Sequence, residues 1–224
     1  MPVTSDDELL TAWRAGNKRA GKQLFERHYN AVDRFFRNKV DSNEAADLAQ
    51  KTFLGCLESV EAERYADHGN FRGWLFAIAY RQLCKYYRTA ARERARVDPH
   101  AVSVDGRGRF DLGALSAHAL NPTPSSVVAR SEEGRLLLNG LRQIPIDLQV
   151  VLELRYWEHM SDQEIARALG QPLGTTKSRL RRARQLLAER LGELAHTPAQ
   201  LQSTLANLDG WAERLRELAL GSES

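Results

Sequence analysis

The stretch that decides the fold is SDQEIARALGQPLGTTKSRLRRARQLLAERL, residues 161–191. Ser161 and Glu164 stand at capping-box spacing, which starts a helix whose apolar face is Ile165, Ala166 and Leu169. Gly170 supplies the left-handed or tight backbone that ends that helix, and Pro172 cannot continue a helix interior. Gly174 and Thr175 then open a second helix, so the segment predicts a helix-turn-helix. Thr176, Leu180, Ala183 and Leu187 fall on the inner face at three-four spacing. Lys177, Ser178, Arg179, Arg181, Arg182 and Arg184 are left for the outer face. Residues 174–187 hold five basic side chains and no acid, a bias that suits an anion rather than plain solvation. A helix of this kind enters the major groove of DNA, where arginine bonds guanine bidentately and other cations hold phosphate.

Working outward, the charge is uneven although the formal net is only +3. Lys and Arg against Asp and Glu number 8 to 4 over residues 61–96 and 7 to 4 over 161–194, but 9 to 9 over 1–60 and 6 to 8 over 97–160. Two separated basic stretches suggest two contact surfaces on one polyanion, because neutralising phosphate is the general source of nucleic-acid affinity. Charge alone fits two solvated helix faces equally well.

Periodicity is helical nearly throughout, with no convincing alternation of period two, so an all-α fold is expected. Leu24, Phe25, His28, Tyr29, Val32, Phe35 and Phe36 make one apolar stripe, and Leu48, Phe53, Cys56, Leu57 and Val60 a second. A third helix from about Phe71 to Arg96 completes an N-terminal bundle over 6–96. Residues 97–126, rich in Gly, Pro and Ser, predict a flexible linker. A second helical domain follows over 127–195. Thr197 and Pro198 then cap a short amphipathic extension, 196–224.

Other chemistries find little support. Cys56 and Cys84 read as packing residues, and no histidine stands at metal-ligand spacing, so neither metal nor cofactor is expected. The acidic start MPVTSDDELL and the lack of a long apolar run predict a cytoplasmic chain with no membrane insertion. No carboxylate cluster or nucleophile constellation suggests a nuclease or recombinase, so a non-enzyme is expected.

The string from Ile144 to Leu191 resembles region 4 of the extracytoplasmic-function (ECF) group of sigma-70 factors, through its Ile-Pro turn, its Ser-x-x-Glu-Ile-Ala cap and its Gly-Thr-Thr-Lys-Ser-Arg-Leu-Arg-Arg-Ala-Arg run. The resemblance implies that Lys177, Ser178, Arg181 and Arg182 read the minus-35 element, with Arg179 and Arg184 on phosphate or in supporting pairs. Ile144 and Gln149 depart from the usual Leu and Arg, departures expected to matter little.

The N-terminal half discriminates between a sigma factor and a stand-alone helix-turn-helix regulator with a sensing domain. NFRGWLFAIAYRQLCKYYRTAARERAR, residues 70–96, interleaves six aromatics with Arg72, Arg81, Lys85 and Arg88. Rings that stack on bases beside cations suit unpaired DNA, while Phe71, Trp74, Leu75 and Ile78 also suit a core. The segment resembles ECF region 2, which implies minus-10 contacts by Arg81, Lys85 and Arg88. The same resemblance implies a pocket for a flipped base from Tyr65, Asp67, His68, Gly69 and Asn70. DLAQKTFLGCLESV, residues 47–60, resembles the region 2.2 helix, placing Asp47, Gln50 and Lys51 against the clamp of the polymerase largest subunit. Relatives often carry an acid where Lys51 stands. The implied partners are core RNA polymerase (that clamp, and the flap of the second-largest subunit), promoter DNA, and an anti-sigma protein. Promoter elements two duplex turns apart lie roughly 70 Å from each other. A free linker of this length spans about 30 Å on average and about 100 Å when stretched. Free protein is therefore expected to be compact or variable in spacing, with polymerase holding the linker extended.

Overall fold

The computed structural model describes residues 4–62, 71–97 and 132–194, which form eight α-helices and no strand. An N-terminal module holds α1 (Asp6–Arg14), α2 (Lys18–Arg37), α3 (Ser42–Glu61) and α4 (Phe71–Val97). A C-terminal module holds α5 (Glu132–Gln143), α6 (Ile146–Tyr156), α7 (Asp162–Leu169) and α8 (Leu173–Leu194). The expected linker beyond Val97, the expected extension 196–224 and the expected flipped-base residues Tyr65 to Asn70 lie outside the described residues.

Short polar side chains set the helix starts. Ser5 and Glu8 form a full capping box on α1, the Ser5 hydroxyl accepting from Glu8 N–H at 3.2 Å and the Glu8 carboxylate accepting from Ser5 N–H at 2.8 Å. Asn17 caps α2 and Asp41 caps α3 through bonds accepted from the first-turn amides. Each supplies an acceptor to donors that have no partner inside the helix. Helix α1, which periodicity had not marked, is held by charge as well as by Leu9, Leu10 and Trp13. Asp6 accepts from Arg27 at 2.5 Å and lies 2.6 Å from buried His28. Partial burial pushes the Asp6 carboxyl up, but the bond and charge of His28, with those of Arg27, outweigh it and hold the pKa at about 2. Gly21 lets α1 close on α2: a Cβ there would sit 2.8 Å from the Trp13 ring.

The expected apolar stripes are mostly internal, with one correction. Leu24, His28, Val32, Phe35 and Phe36 are buried on α2, but Phe25 is only half-buried and Tyr29 is 48% exposed. Position 29 lies at the edge of the stripe, beyond what α3 and α4 cover. On α3, Leu48, Phe53 and Cys56 are buried, while Leu57 and Val60 are half-buried. Both cysteines are free; burial raises the thiol pKa of each, so both stay protonated packing groups.

Helix α4 is the axis of the molecule. From Trp74 to Ala79 every residue is 5% exposed or less, because α2 and α3 pack on one side and α7 on the other. A helix apolar all round must be enclosed all round. The apolar core runs unbroken from Leu9 to Leu191 across both modules. The modules are thus in contact, on the compact side of the expectation.

Candidate nucleic-acid interface

The helix-turn-helix is built as its sequence implies. The Ser161 hydroxyl accepts from Glu164 N–H at 3.3 Å, and the Glu164 carboxylate accepts from Ser161 N–H at 2.7 Å. Gly170 takes the left-handed conformation, φ 62° and ψ 38°, and its N–H closes the last turn of α7. There any other residue bears a Cβ penalty. Helix α8 starts at Leu173, one residue before the predicted start. Thr176, Leu180, Ala183, Leu187 and Leu191 are its buried seam.

The expected outer residues of α8 divide into two groups. Lys177, Ser178, Arg181, Arg182 and Arg184 are exposed. The Ser178 hydroxyl donates to the Thr175 carbonyl at 2.9 Å, and the Arg184 guanidinium lies 5.5 Å from the Tyr156 ring centroid. Arg179 is half-buried: it donates to the Gln171 amide oxygen at 2.5 Å and meets Asp147 at 3.5 Å. Gln171 also donates to the Thr176 hydroxyl at 2.9 Å, so it ties the turn to the helix. Arg179 braces the start of α8 against the turn and α6, whereas Lys177, Arg181, Arg182 and Arg184 face outward. No acid stands in the first turn of α8, so the positive end of the helix dipole is not neutralised by its own side chains.

On α4 the cations and the rings part company. Arg81, Lys85 and Arg88 are exposed at spacings of four and three, which aligns them on one face. Of the six rings, Phe71 and Phe76 are 0% exposed, and Trp74 and Tyr87 are 2% exposed. The Tyr87 hydroxyl donates to the Lys39 carbonyl at 2.6 Å. The expectation of base-stacking rings is therefore corrected: the core reading extends to Phe76 and Tyr87, and only Tyr80 and Tyr86 keep partial exposure. Burial, with the neighbouring Cys84, pushes the Tyr80 hydroxyl up, so it remains neutral.

A third surface lies on α2 and α3. Of the residues expected to meet polymerase, Asp47 and Lys51 pair with each other across one helical turn. Gln50 is exposed on the rim of a groove of about 540 Å³ whose floor is Phe25, Phe53 and Leu57. Tyr29 and Leu54, each 48% exposed, also line it, with the Tyr29 ring near-parallel to Phe53 at 6.1 Å. Sequence reasoning missed both. The available signal was Leu54 itself, an apolar residue one turn beyond Gln50 on a face otherwise polar.

Among the described residues no group of three or more His, Cys, Asp or Glu could hold a metal ion, and no helix is long and apolar enough to cross a membrane.

Comparison with known proteins matches this arrangement. The family model for sigma-70 region 2 covers residues 24–93 and that for sigma-70 region 4 covers residues 134–187, together more than half of the chain. The ECF RNA polymerase sigma-E factor of Haemophilus influenzae is 26% identical over 190 residues, spanning 85% of this chain and 97% of that protein. The ECF RNA polymerase sigma-E factor of Escherichia coli K12 is 24% identical over 190 residues, spanning 85% and 96%. Among solved structures, CnrH in complex with the cytosolic domain of CnrY superposes with a TM-score of 0.56 at 21% identity, covering 85% of this chain and 99% of that one. The sigma factor RpoE bound to the anti-sigma factor NepR from Bartonella quintana superposes at 0.54 and 21% identity, covering 76% and 96%. With both signature regions in order on one chain, and full-length relatives of the same kind, this protein belongs to the ECF group of the sigma-70 family.

Proposed function

We propose that the chain directs core RNA polymerase to promoters, with Lys177, Ser178, Arg181, Arg182 and Arg184 contacting the minus-35 element and Arg81, Lys85 and Arg88 following the DNA near minus-10. Arg179 supports the first set through Gln171 and Asp147. Tyr65, Asp67, His68, Gly69 and Asn70 remain the candidates for capture of a flipped base. The groove bounded by Tyr29, Gln50 and Leu54 is the docking surface for the polymerase clamp, and the Asp47–Lys51 pair lies beside it. An exposed apolar patch rimmed by polar groups marks a protein interface. The module boundaries are 6–96, 97–126 and 127–195, followed by the extension 196–224. The protein acts in the cytoplasm, has no catalysis of its own, and is open to control by an anti-sigma protein.

One observation carries the reading: an exposed cationic helix face and an apolar groove occur on the same chain, in different modules. A stand-alone regulator needs the first and has no use for the second. Transcription assays with purified core polymerase and genomic fragments test the proposal. Defined start sites that appear only with the chain are expected. Leu54→Arg removes them by preventing joining with core, while leaving duplex binding by the C-terminal module intact. A chain that never joins core polymerase, or whose effect on start sites is indifferent to Leu54→Arg, favours the regulator.

A further inference from the structure

The contact between the modules is charged at its centre. The Lys39 ammonium, 0% exposed at the end of α2, donates to the Glu153 carboxylate of α6 at 2.5 Å and to the Phe35 carbonyl at 2.7 Å. It sits 4.0 Å from the centroid of the Phe35 ring. Gln149 donates to the other Glu153 oxygen at 3.0 Å and reaches across to the Asn38 carbonyl at 3.3 Å. At the rim, Arg34 meets the Glu158 carboxylate at 2.7 Å, and Arg72 donates to the Glu158 carbonyl at 2.9 Å. The chain reverses just after Glu158 through His159, whose φ of 51° is uncommon for a residue with a side chain. The C-terminal module thus presents two acids, which the N-terminal module receives with Arg34 and Lys39, while Arg72 holds the Glu158 backbone carbonyl.

Such a contact is made to open. Desolvation of a buried ion pair offsets most of its Coulomb attraction, and water repays both groups on separation. The buried Asn38 and Gln149 amide oxygens have no hydrogen-bond partner among the described residues, which further narrows the preference for the closed form. A mismatched charge would be intolerable there, which fixes which surfaces meet. Modules in contact also cannot hold elements separated by roughly 70 Å.

We propose that Lys39 and Glu153, rimmed by Arg34, Arg72 and Glu158, form a charge latch that keeps the free chain closed and is broken when polymerase spreads the modules across the promoter. The inhibitory half of this proposal rests on the promoter-directing reading above; the latch itself does not.

The test uses the full chain with Cys84→Ala and spin labels at two exposed helix positions, through Gln23→Cys on α2 and Gln185→Cys on α8. Distances are measured for the parent, Lys39→Glu, Glu153→Lys and the double swap. A short, narrow distance is expected in the parent, a long and broad one in each single variant, and a return to the short distance in the swap. Since affinity scales with the fraction of competent molecules, each single variant should bind core about tenfold more tightly, and the swap should lose that gain. Single variants that stay short, a swap that stays open, or equal core affinity in all four overturns the proposal. If circular dichroism shows that a single variant loses helix, Arg34→Ala and Glu158→Gln at the rim replace it, and an unchanged distance distribution in both is equally fatal. Distances that follow the pattern while no form starts a transcript leave the latch standing and remove the promoter reading. Transcripts with unresponsive distances do the reverse.

Discussion

Helices α4 and α8 look alike in sequence and are used in opposite ways. Both are long, basic and carry an apolar periodicity, yet α8 buries a single seam of Thr176, Leu180, Ala183, Leu187 and Leu191, whereas α4 is enclosed on every side from Trp74 to Ala79. The difference comes from neighbours. Helix α8 packs on α5, α6 and α7 through one face and keeps the rest in solvent; α4 lies between α2 and α3 on one side and α7 on the other. A cation can be read as a contact group only where nothing covers it, and an aromatic beside it is a stacking platform only under the same condition. On α8 the exposed groups are the chemistry. On α4 the exposed groups include Arg81, Lys85 and Arg88, and the buried rings are the frame that holds them.

The largest effect should come from the frame. Phe76→Ala removes a ring that is 0% exposed and 5.6 Å from Phe35, which should cost about 3–5 kcal/mol of stability in urea unfolding. Unchanged stability with lost single-strand binding would return Phe76 to the role of a stacking ring. The reciprocal change on α8, Arg181→Ala with Arg182→Ala, should leave the unfolding curve in place. It should weaken minus-35 duplex binding by roughly thirtyfold or more, at about 1–3 kcal/mol for each of the two lost base-reading contacts. A shift in the unfolding midpoint would show that these arginines are structural.

Acid sharpens the contrast between the modules. The Asp6 carboxyl is held at about 2, below its usual 3.8, so it favours the folded state fully above pH 4 and loses that contribution as pH falls through about 2. Asp6→Asn should cost about 2 kcal/mol at neutral pH, and the gap between variant and parent should close between pH 4 and pH 2. A gap independent of pH means that the anchor of α1 is packing alone. The smallest effect belongs to the start of α7: Ser161→Ala removes one half of a capping box and should cost about 1 kcal/mol, seen as earlier melting of the C-terminal module.

The helix-turn-helix could be read residue by residue because its determinants are local. A cap and its acceptor lie three residues apart, Gly170 acts through its own backbone dihedral, and an inner seam follows from 3.6 residues per turn. The interface between modules was invisible for the opposite reason. Lys39 and Glu153 are 114 positions apart, and nothing near either distinguishes a buried partner from a solvated surface charge. Gln149, expected to be a departure of little consequence, lies at 0% exposure in that interface. Tyr29 was misplaced because three-four spacing identifies a stripe but not its edge.

What the sequence by itself determined, then, is the run of helices after α1, the cap and turn of the helix-turn-helix, and the identity of the cations on α8, since each depends on contacts within a few residues. Which face of α4 is covered, which exposed apolar pair lines the groove at Tyr29 and Leu54, and which charges meet between the modules were decided only in the tertiary structure. Burial is a property of what a distant segment brings to a surface, and no local pattern encodes the arrival of that segment.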